Sequence, residues 1–460
     1  MDPIVFFLGG IAMFDSKFIF GCSTASYQIE GSIDKDGKVP SIWDTFTKNK
    51  KNIADGTDGS IACDSYIKYK DDVKILSELG VKAYRFSISW CRVIDSNNNP
   101  NQKGLDYYIN LCKELKKYNI RPFVTLYHWD MPEWLEDLGG FLNDSISDYF
   151  MHYTDVVTKA LDGLVSDYIT INEPQVIMQL GHRDCGHAPG VKFSDKEMLH
   201  AIHNLLKCHG KAVKVIRKNV KNSTIGFAPC SRPLVPVDKN DKVLYQKCYD
   251  YFFELRNDYY YPNMVAIYSD PVFLGDYPKN YYEVFKGIHP EITKEDLELI
   301  SQPLDYIYQN FYSGNYIRLN KDNNIEFEDF YPGFPEGNIE WLQVVPETLY
   351  YGPKYLYERY KKPIIISENG FCNNDVISLD GKVHDPERTD YIKRYLMELD
   401  KVSKEVPVLG YFYWSLFDNF EWAYGLKKRF GLVYMNYKTG ERIKKDSFFE
   451  YKKIIENGGI

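Results

Sequence analysis

The sequence predicts an α/β fold, a closed (β/α)8 barrel in a single domain, and two observations lead to this prediction. Eight short apolar runs, most of them rich in β-branched residues, recur along the 460 residues. Amphipathic helical patterns separate most of these runs, and no linker or low-complexity tract interrupts them. Strands that alternate with helices form a parallel sheet, and eight such units over this length close into a barrel.

The predicted strands lie near residues 18–23, 83–89, 122–127, 167–172, 224–229, 304–310, 363–368 and 408–414. The predicted helices are Ser65–Leu79, Lys103–Tyr118, Asp144–Leu161, Asp195–Lys218, Pro346–Tyr360 and Pro386–Ser403. Gly80 closes the first helix, because glycine suits the left-handed position after a helix.

Polar and aromatic side chains gather at the predicted strand ends. In a barrel of this kind the chemistry lies at the carboxyl ends of the strands and in the loops that follow. Arg85 lies within the second strand, and strand ends elsewhere carry Gln28, His128, Trp129, Asn172, Glu173, Asn310, Tyr312, Glu368 and Trp414. We expect these side chains to face one site.

Two glutamates at these strand ends predict the chemistry. Glu173 follows the run 167–172, Glu368 follows the run 363–367, and a strand breaker comes soon after each. Either glutamate alone could cap a strand at the surface. Glycosidic-bond hydrolysis needs one acid to protonate the leaving oxygen and one carboxylate to act at the anomeric carbon. The pair therefore predicts a glycosidase.

Composition argues against nucleic acid and membrane partners. The formal net charge is −8, and the short basic clusters Lys427–Arg429 and Lys444–Lys445 are expected to be solvated. Nine cysteines without a C-x-x-C pair indicate reduced thiols, and the nine histidines show no H-E-x-x-H motif, so no metal site is predicted. A cytoplasmic protein is expected, although sequons at Asn143 and Asn222 leave secretion open.

The first residues look separable from the barrel. The apolar run from Ile4 to Phe14 is too short to cross a membrane and lacks the features of a signal peptide. Met13 could itself begin the chain. We therefore expect residues 1–12 to be an extension and residues 13–460 to be the hydrolase domain.

Six motifs carry a resemblance to a known family. They are Phe20–Gly31, Tyr84–Trp90, Tyr127–Pro132, Thr170–Pro174, Ile366–Gly370 and Tyr413–Trp422. In these stretches, which follow the family's order almost end to end, the chain resembles glycoside hydrolase family 1, the β-glucosidase-type retaining enzymes. The resemblance implies hydrolysis of terminal non-reducing β-D-glucosyl groups from small glycosides or oligosaccharides, without a cofactor. Galactosyl, fucosyl and mannosyl groups stay open, as does the oligomeric state.

The resemblance also implies a role for each matching residue. Glu173 would be the general acid/base and Glu368 the nucleophile, with Arg85 and Tyr312 as hydrogen-bond donors to Glu368. An apolar surround and the neighbouring anion should raise the pKa of the acid, and a retaining mechanism places the carboxyl groups about 5–5.5 Å apart. The sugar pocket would contain Gln28, His128, Trp129, Asn172, Asn310, Tyr312, Trp414, Glu421 and Trp422, with Trp341 as a platform for the aglycone.

Three alternatives remain at this point. A non-catalytic sugar-binding barrel should lack one of the glutamates, and both are present. A 6-phospho-β-glycosidase would use Ser, Lys and Tyr, but only Lys428 matches, with Glu421 and Phe430 in the other two places. A carboxylate there would repel a phosphate. An inverting glycosidase would need its carboxyl groups about 6.5–9.5 Å apart.

Overall fold

The protein is seen in a computed structural model that describes residues 13–460, and its centre is a closed barrel of eight parallel strands. The strands are β1 Ile19–Ser23, β2 Ala83–Ser87, β3 Arg121–Tyr127, β4 Asp167–Asn172, β5 Thr224–Ala228, β6 Tyr306–Asn310, β7 Ile364–Asn369 and β8 Val408–Trp414. Pairing of β8 with β1 closes the ring. The predicted fold and strands are confirmed, with small shifts in the strand bounds. The expected extension, residues 1–12, lies outside the described residues.

All six predicted helices are present. They are Ser65–Leu79, Gln102–Lys117, Ile146–Ala160, Asp195–Asn219, Thr348–Tyr360 and Pro386–Ser403. Gly80 follows the first helix as predicted, with a φ of 86°. The third helix begins later than predicted because Asn143 Oδ1 accepts a hydrogen bond from the Ser145 N–H at 2.9 Å, which forms a turn there. Within residues 13–460, no helix is long and apolar enough to cross a membrane.

Several elements were not predicted. Four longer helices are Lys242–Phe253, Ala266–Leu274, Lys294–Ile300 and Asp446–Asn457. Short helical turns are Ser26–Ile29, Ile42–Phe46, Lys50–Asn52, Trp90–Val93, Glu133–Asp137, Gly140–Leu142, Pro174–Met178, Gln179–Arg183, Tyr261–Asn263, Tyr281–Val284 and Trp422–Tyr424. Leu234–Pro236, Asn315–Leu319 and Ile325–Phe327 form a small sheet, and Val433–Asn436 pairs with Glu441–Lys444.

The barrel interior is built in layers. An apolar layer contains Ala83, Phe123, Ile169, Ala228, Tyr308, Ile365 and Phe412. Because side chains alternate along a strand, residues two positions further toward the carboxyl end also point inward. At four of these positions the side chains are polar and buried: Arg85, Thr125, Asn310 and Ser367. The apolar layer therefore closes the barrel beneath a polar layer on which a site can be built.

The expectation that the cluster Lys444–Lys445 is solvated is wrong for Lys445. Lys445 is fully buried, and its Nζ lies 2.6 Å from Asp418 Oδ1 and 2.5 Å from Asp375 Oδ2. Arg388 Nη2 also pairs with Asp375, at 2.7 Å, and Arg429 Nη1 pairs with Asp418, at 2.6 Å. Burial of these charges is tolerated because each has an opposite partner. The cluster joins the loops after β7 and β8.

Candidate active site

Glu173 stands just past the carboxyl end of β4, where regular strand pairing breaks down. The register between β4 and β5 shifts near this end, and Glu173 has a left-handed φ of 43°. Its N–H donates to the Ala228 carbonyl at 2.7 Å. The buried side chain accepts a hydrogen bond at Oε1 from Asn310 Nδ2, at 2.8 Å. Burial, followed by the charge of Glu368, raises the pKa of Glu173 to about 8.

Glu368 lies near the end of β7, beside a second shift in strand register. Arg85 Nη1 donates to Glu368 Oε1 at 2.6 Å, and the Tyr312 hydroxyl donates to Oε2 at 2.7 Å. Burial raises the pKa of Glu368, while Arg85 and Tyr312 oppose that rise. Since both donors stabilise the anion, Glu368 carries the negative charge and Glu173 keeps a proton.

A chain of hydrogen bonds links the two carboxyl groups. Arg85 Nη2 donates to Asn172 Oδ1 at 2.6 Å. Asn310 Nδ2 donates to the same oxygen at 3.1 Å as well as to Glu173. The Ser367 hydroxyl donates to Asn310 Oδ1 at 2.7 Å and so fixes the orientation of that amide. The positions of Glu173 and Glu368 are therefore set by one continuous network.

His128 and Gln28 each present a buried polar atom that has no partner within the described part of the chain, residues 13–460. Burial and the charge of Arg85 lower the pKa of His128 well below its usual range, so the ring is neutral. Its Nε2 lies 3.2 Å from the Asn172 amide nitrogen, which assigns Nε2 as the acceptor and Nδ1 as the protonated nitrogen. Among residues 13–460, neither His128 Nδ1 nor Gln28 Oε1 has a partner. A sugar hydroxyl can satisfy such a donor and acceptor.

The loop after β8 supplies the remaining polar wall. Gln28 Nε2 donates to the Phe420 carbonyl at 2.9 Å, to Asn419 Oδ1 at 3.0 Å and to Glu421 Oε2 at 3.4 Å. Burial, followed by the charge of Glu368, raises the pKa of Glu421 to about 8, against the effect of the Gln28 hydrogen bond. Gln28 therefore ties the loop after β1 to the loop after β8.

Aromatic rings form the other walls. The His128 ring stacks on Trp414 and Trp422, with centroid distances of 5.8 and 6.0 Å, and Trp129 lies 4.5 Å from Trp422. These tryptophans are buried. Trp341 lies further out, is 36% exposed, and packs edge-on against Tyr312 at 5.5 Å. The aromatic surface thus runs from the buried pocket to the protein surface.

The structure places the predicted residues around the two glutamates, with Trp341 at the outer edge. Two details differ from the prediction: β6 ends two residues before Tyr312, and Asn369 follows Glu368 within β7. Sequence reasoning missed Thr125, which accepts a hydrogen bond from Arg85 Nε at 3.0 Å, as well as Ser367 and Asn419. The alternation of inward positions could have identified Thr125 and Ser367. Across residues 13–460, no group of His, Cys, Asp or Glu could hold a metal ion.

The fold is a closed (β/α)8 barrel, and two buried carboxyl groups lie in contrasting surroundings at the ends of β4 and β7. These features define the class of protein, a barrel equipped for glycosidic-bond hydrolysis. The profile described as Glycosyl hydrolase family 1 matches residues 11–460. Beta-glucosidase A of Acetivibrio thermocellus is 41% identical over 455 residues, which cover 97% of this chain and 99% of that relative. Beta-glucosidase A of Thermotoga maritima is 39% identical over 453 residues, covering 98% and 99%.

A solved structure agrees with these sequence matches. The structure of a beta-glucosidase from Thermotoga maritima in complex with glucoimidazole matches with a TM-score of 0.88 and 39% identity, covering 98% of this chain and 100% of that one. The chain belongs to glycosyl hydrolase family 1. That family consists of retaining glycosidases, so the predicted enzyme class is confirmed and the non-catalytic and inverting alternatives are not favoured.

The 6-phospho-β-glycosidase alternative is not favoured either. Glu421 brings a carboxyl group to the place of the expected serine, and once ionised it would repel a phosphate there. Phe430 is buried at the second of the expected positions. Lys428, the single match, donates to the Asn338 carbonyl and lies 5.5 Å from the centroid of the Tyr424 ring. These residues suit an unphosphorylated sugar.

Proposed function

We propose that the protein is a β-glucosidase that releases terminal non-reducing β-D-glucosyl groups, with β-D-galactosyl and β-D-fucosyl groups as further substrates. The observation that carries the proposal is the contrast between the two buried carboxyl groups. Glu368 accepts from Arg85 and Tyr312, whereas Glu173 accepts from Asn310 and has a pKa raised to about 8. One carboxyl is suited to attack as an anion and the other to donate a proton.

In the first step, a Glu368 carboxylate oxygen attacks the anomeric carbon while Glu173 transfers its proton to the glycosidic oxygen. The bond from the anomeric carbon to the leaving oxygen breaks, and a glycosyl ester forms. In the second step, Glu173 takes a proton from water as the water oxygen attacks the anomeric carbon and the ester bond breaks. Glu173 is protonated again and Glu368 is again a carboxylate.

The pocket residues would hold the sugar through its hydroxyl groups. The Nδ1–H of His128 and Oε1 of Gln28, which have no partner among residues 13–460, complement one hydroxyl as donor and acceptor. The family resemblance implies that Gln28, His128, Glu421 and Trp422 serve the 3- and 4-hydroxyls and that Asn172 serves the 2-hydroxyl. Asn310 and Trp129 hold Asn172 in place, at 3.1 and 3.0 Å, and Trp414 lies beneath the ring. Trp341 would support the aglycone.

Hydrolysis of a chromogenic aryl β-D-glucoside, followed by NMR of the first-formed sugar, tests the proposal. We expect β-D-glucose as the first product, because two inversions retain the configuration. Initial α-D-glucose would contradict the covalent step, and binding without hydrolysis would contradict the enzyme. A panel of aryl glycosides that differ only in the sugar would rank glucose, galactose, fucose and mannose.

We also propose that residues 13–460 form the hydrolase domain and that the enzyme acts in the cytoplasm. The Phe14 N–H donates to the Gly458 carbonyl at 3.1 Å, so the barrel's packing already includes the first described residues. Seven of the nine cysteines are buried as free thiols, which suits a reducing compartment. A chain that starts at Met13 should keep its kcat/KM, and cell fractionation should place the activity in the cytosol.

A further inference from the structure

Arg232 joins two parts of the long connection between β6 and β7. It lies half-buried in the loop after β5, and its Nη1 donates to the Trp341 carbonyl at 2.6 Å. Its Nη2 lies 3.0 Å from Gln343 Oε1, 3.3 Å from both Ser313 Oγ and the Gly314 carbonyl, and 3.5 Å from Asn315 Oδ1. One guanidinium group therefore holds the Trp341 segment against the Ser313 segment.

These contacts are hydrogen bonds to neutral groups. No carboxylate in residues 13–460 forms an ion pair with Arg232, and burial lowers the pKa of Arg232. A partly desolvated cation without a counter-ion is unfavourable. Only arginine offers several donors in one rigid plane, which is what five acceptors on two segments require. The hydrogen bonds of Arg232 therefore fix the relative position of the two segments, although burial of the cation lowers the stability of the fold.

We infer that Arg232 is a positioning residue that fixes Trp341 and thereby sets aglycone selectivity. The inference rests on the proposed function, in which Trp341 supports the aglycone. The Tyr312 carbonyl is held independently, because the hydroxyls of Tyr391 and Tyr395 both donate to it at 2.8 Å. Loss of Arg232 therefore removes the hydrogen bond to the Trp341 carbonyl and leaves Tyr312 in place, while the Trp341 ring keeps its stacking contact with Phe430 at 6.2 Å.

Two substrates separate this role from a structural one. β-D-Glucosyl fluoride has only a fluorine beyond the anomeric carbon and reports on the chemistry, whereas cellobiose also reports on the aglycone platform. For Arg232→Met, we expect kcat/KM for cellobiose to fall about tenfold relative to glucosyl fluoride, mostly through KM. Arg232→Lys should show a smaller loss of the same kind, since one donor remains.

Arg217→Met is the matched control. Arg217 also donates to a backbone carbonyl, that of Pro303, and to a side chain, that of Asp305. It lies at the opposite end of the barrel, near the starts of β5 and β6. Its replacement should leave the ratio between the two substrates unchanged. Trp341→Ala should reproduce the selective loss of kcat/KM for cellobiose. In the double variant with Arg232→Met, kcat/KM for cellobiose should fall little further.

Equal losses on both substrates, or full additivity with Trp341→Ala, would overturn the inference. If Arg232→Met does not fold, the substrate ratio of Arg232→Lys decides. Failure of the wild-type protein to hydrolyse either substrate would overturn the proposed function, and the inference with it.

Discussion

The guanidinium of Arg85 and the carboxylate of Glu368 form an ion pair of 2.6 Å between side chains that are 1% and 4% exposed. Arg85 is itself held by Thr125 Oγ1 at 3.0 Å and Asn172 Oδ1 at 2.6 Å. All these groups stand on barrel strands, so the pair is fixed by the sheet and not by a loop. Burial raises the pKa of the neighbouring Glu173, and the anion held at Glu368 raises it further.

Replacement of Glu368 by alanine should remove hydrolysis, because no group is left to attack the anomeric carbon. We expect kcat to fall on the order of 10⁴-fold. Added azide should restore turnover of an activated aryl β-glucoside and give a glycosyl azide of inverted configuration, identified by NMR. Glu298→Ala, at an exposed glutamate, is the control and should keep full activity. Near wild-type activity in Glu368→Ala would refute the nucleophile assignment.

Glu173→Gln should affect substrates according to their leaving groups. A poor leaving group needs a proton, so its kcat/KM should fall about 10²–10⁴-fold. A dinitrophenyl glucoside needs no proton, and its glycosylation step should fall much less. Pre-steady-state kinetics measure that step directly. The acid assignment fails if the two substrates lose activity equally.

The pH profile should show the titration of Glu173. Its pKa is raised to about 8, so the acid is protonated below that pH and loses its proton above it. For a poor leaving group, kcat/KM should therefore fall as the pH rises through about 8. Glu421 has a similar raised pKa and supplies the control. Glu421→Gln should lower activity yet keep the alkaline limb, and loss of the limb in that variant would assign it to Glu421 instead.

The buried cluster around Lys445 makes a prediction about stability. Lys445→Met removes a cation from between Asp375 and Asp418, and we expect the free energy of unfolding to fall by about 3–5 kcal/mol. Lys444→Met is a control at the neighbouring residue, where Lys444 pairs with Glu78 at the surface. That change should cost at most about 1 kcal/mol. Urea denaturation of both variants measures the two losses of unfolding free energy. Equal losses would contradict the prediction that the buried lysine contributes more to stability than the surface lysine.

The barrel could be predicted from sequence because its strands are unambiguous. Runs such as Ile364–Ile366 are β-branched, short and bounded by proline or glycine, and the same boundaries place Glu173 and Glu368 at strand ends. Two strands of the small sheet, Asn315–Leu319 and Ile325–Phe327, were missed because they are partly exposed and carry no clear alternation. Only a neighbouring strand brought close by the fold makes such segments pair.

Lys445 and Arg232 show why local patterns are insufficient for charged residues. In sequence, Lys445 belongs to a short basic cluster, and its acidic partners Asp375 and Asp418 are far away along the chain. Arg232 contacts carbonyls more than 80 residues away, and backbone carbonyls leave no mark in a sequence. Burial of a charge depends on partners that only the tertiary fold supplies.

The pairing of β8 with β1 has a consequence for biosynthesis. Residues 19–23 are synthesised long before their partners at 410–414. Until then β1 and β7 each have an unpaired edge, and exposed edges invite association with other chains. Both glutamates already exist in such a nascent chain, yet the loop that carries Glu421 and Trp422 does not. Catalytic competence therefore requires synthesis of the chain to pass Trp422.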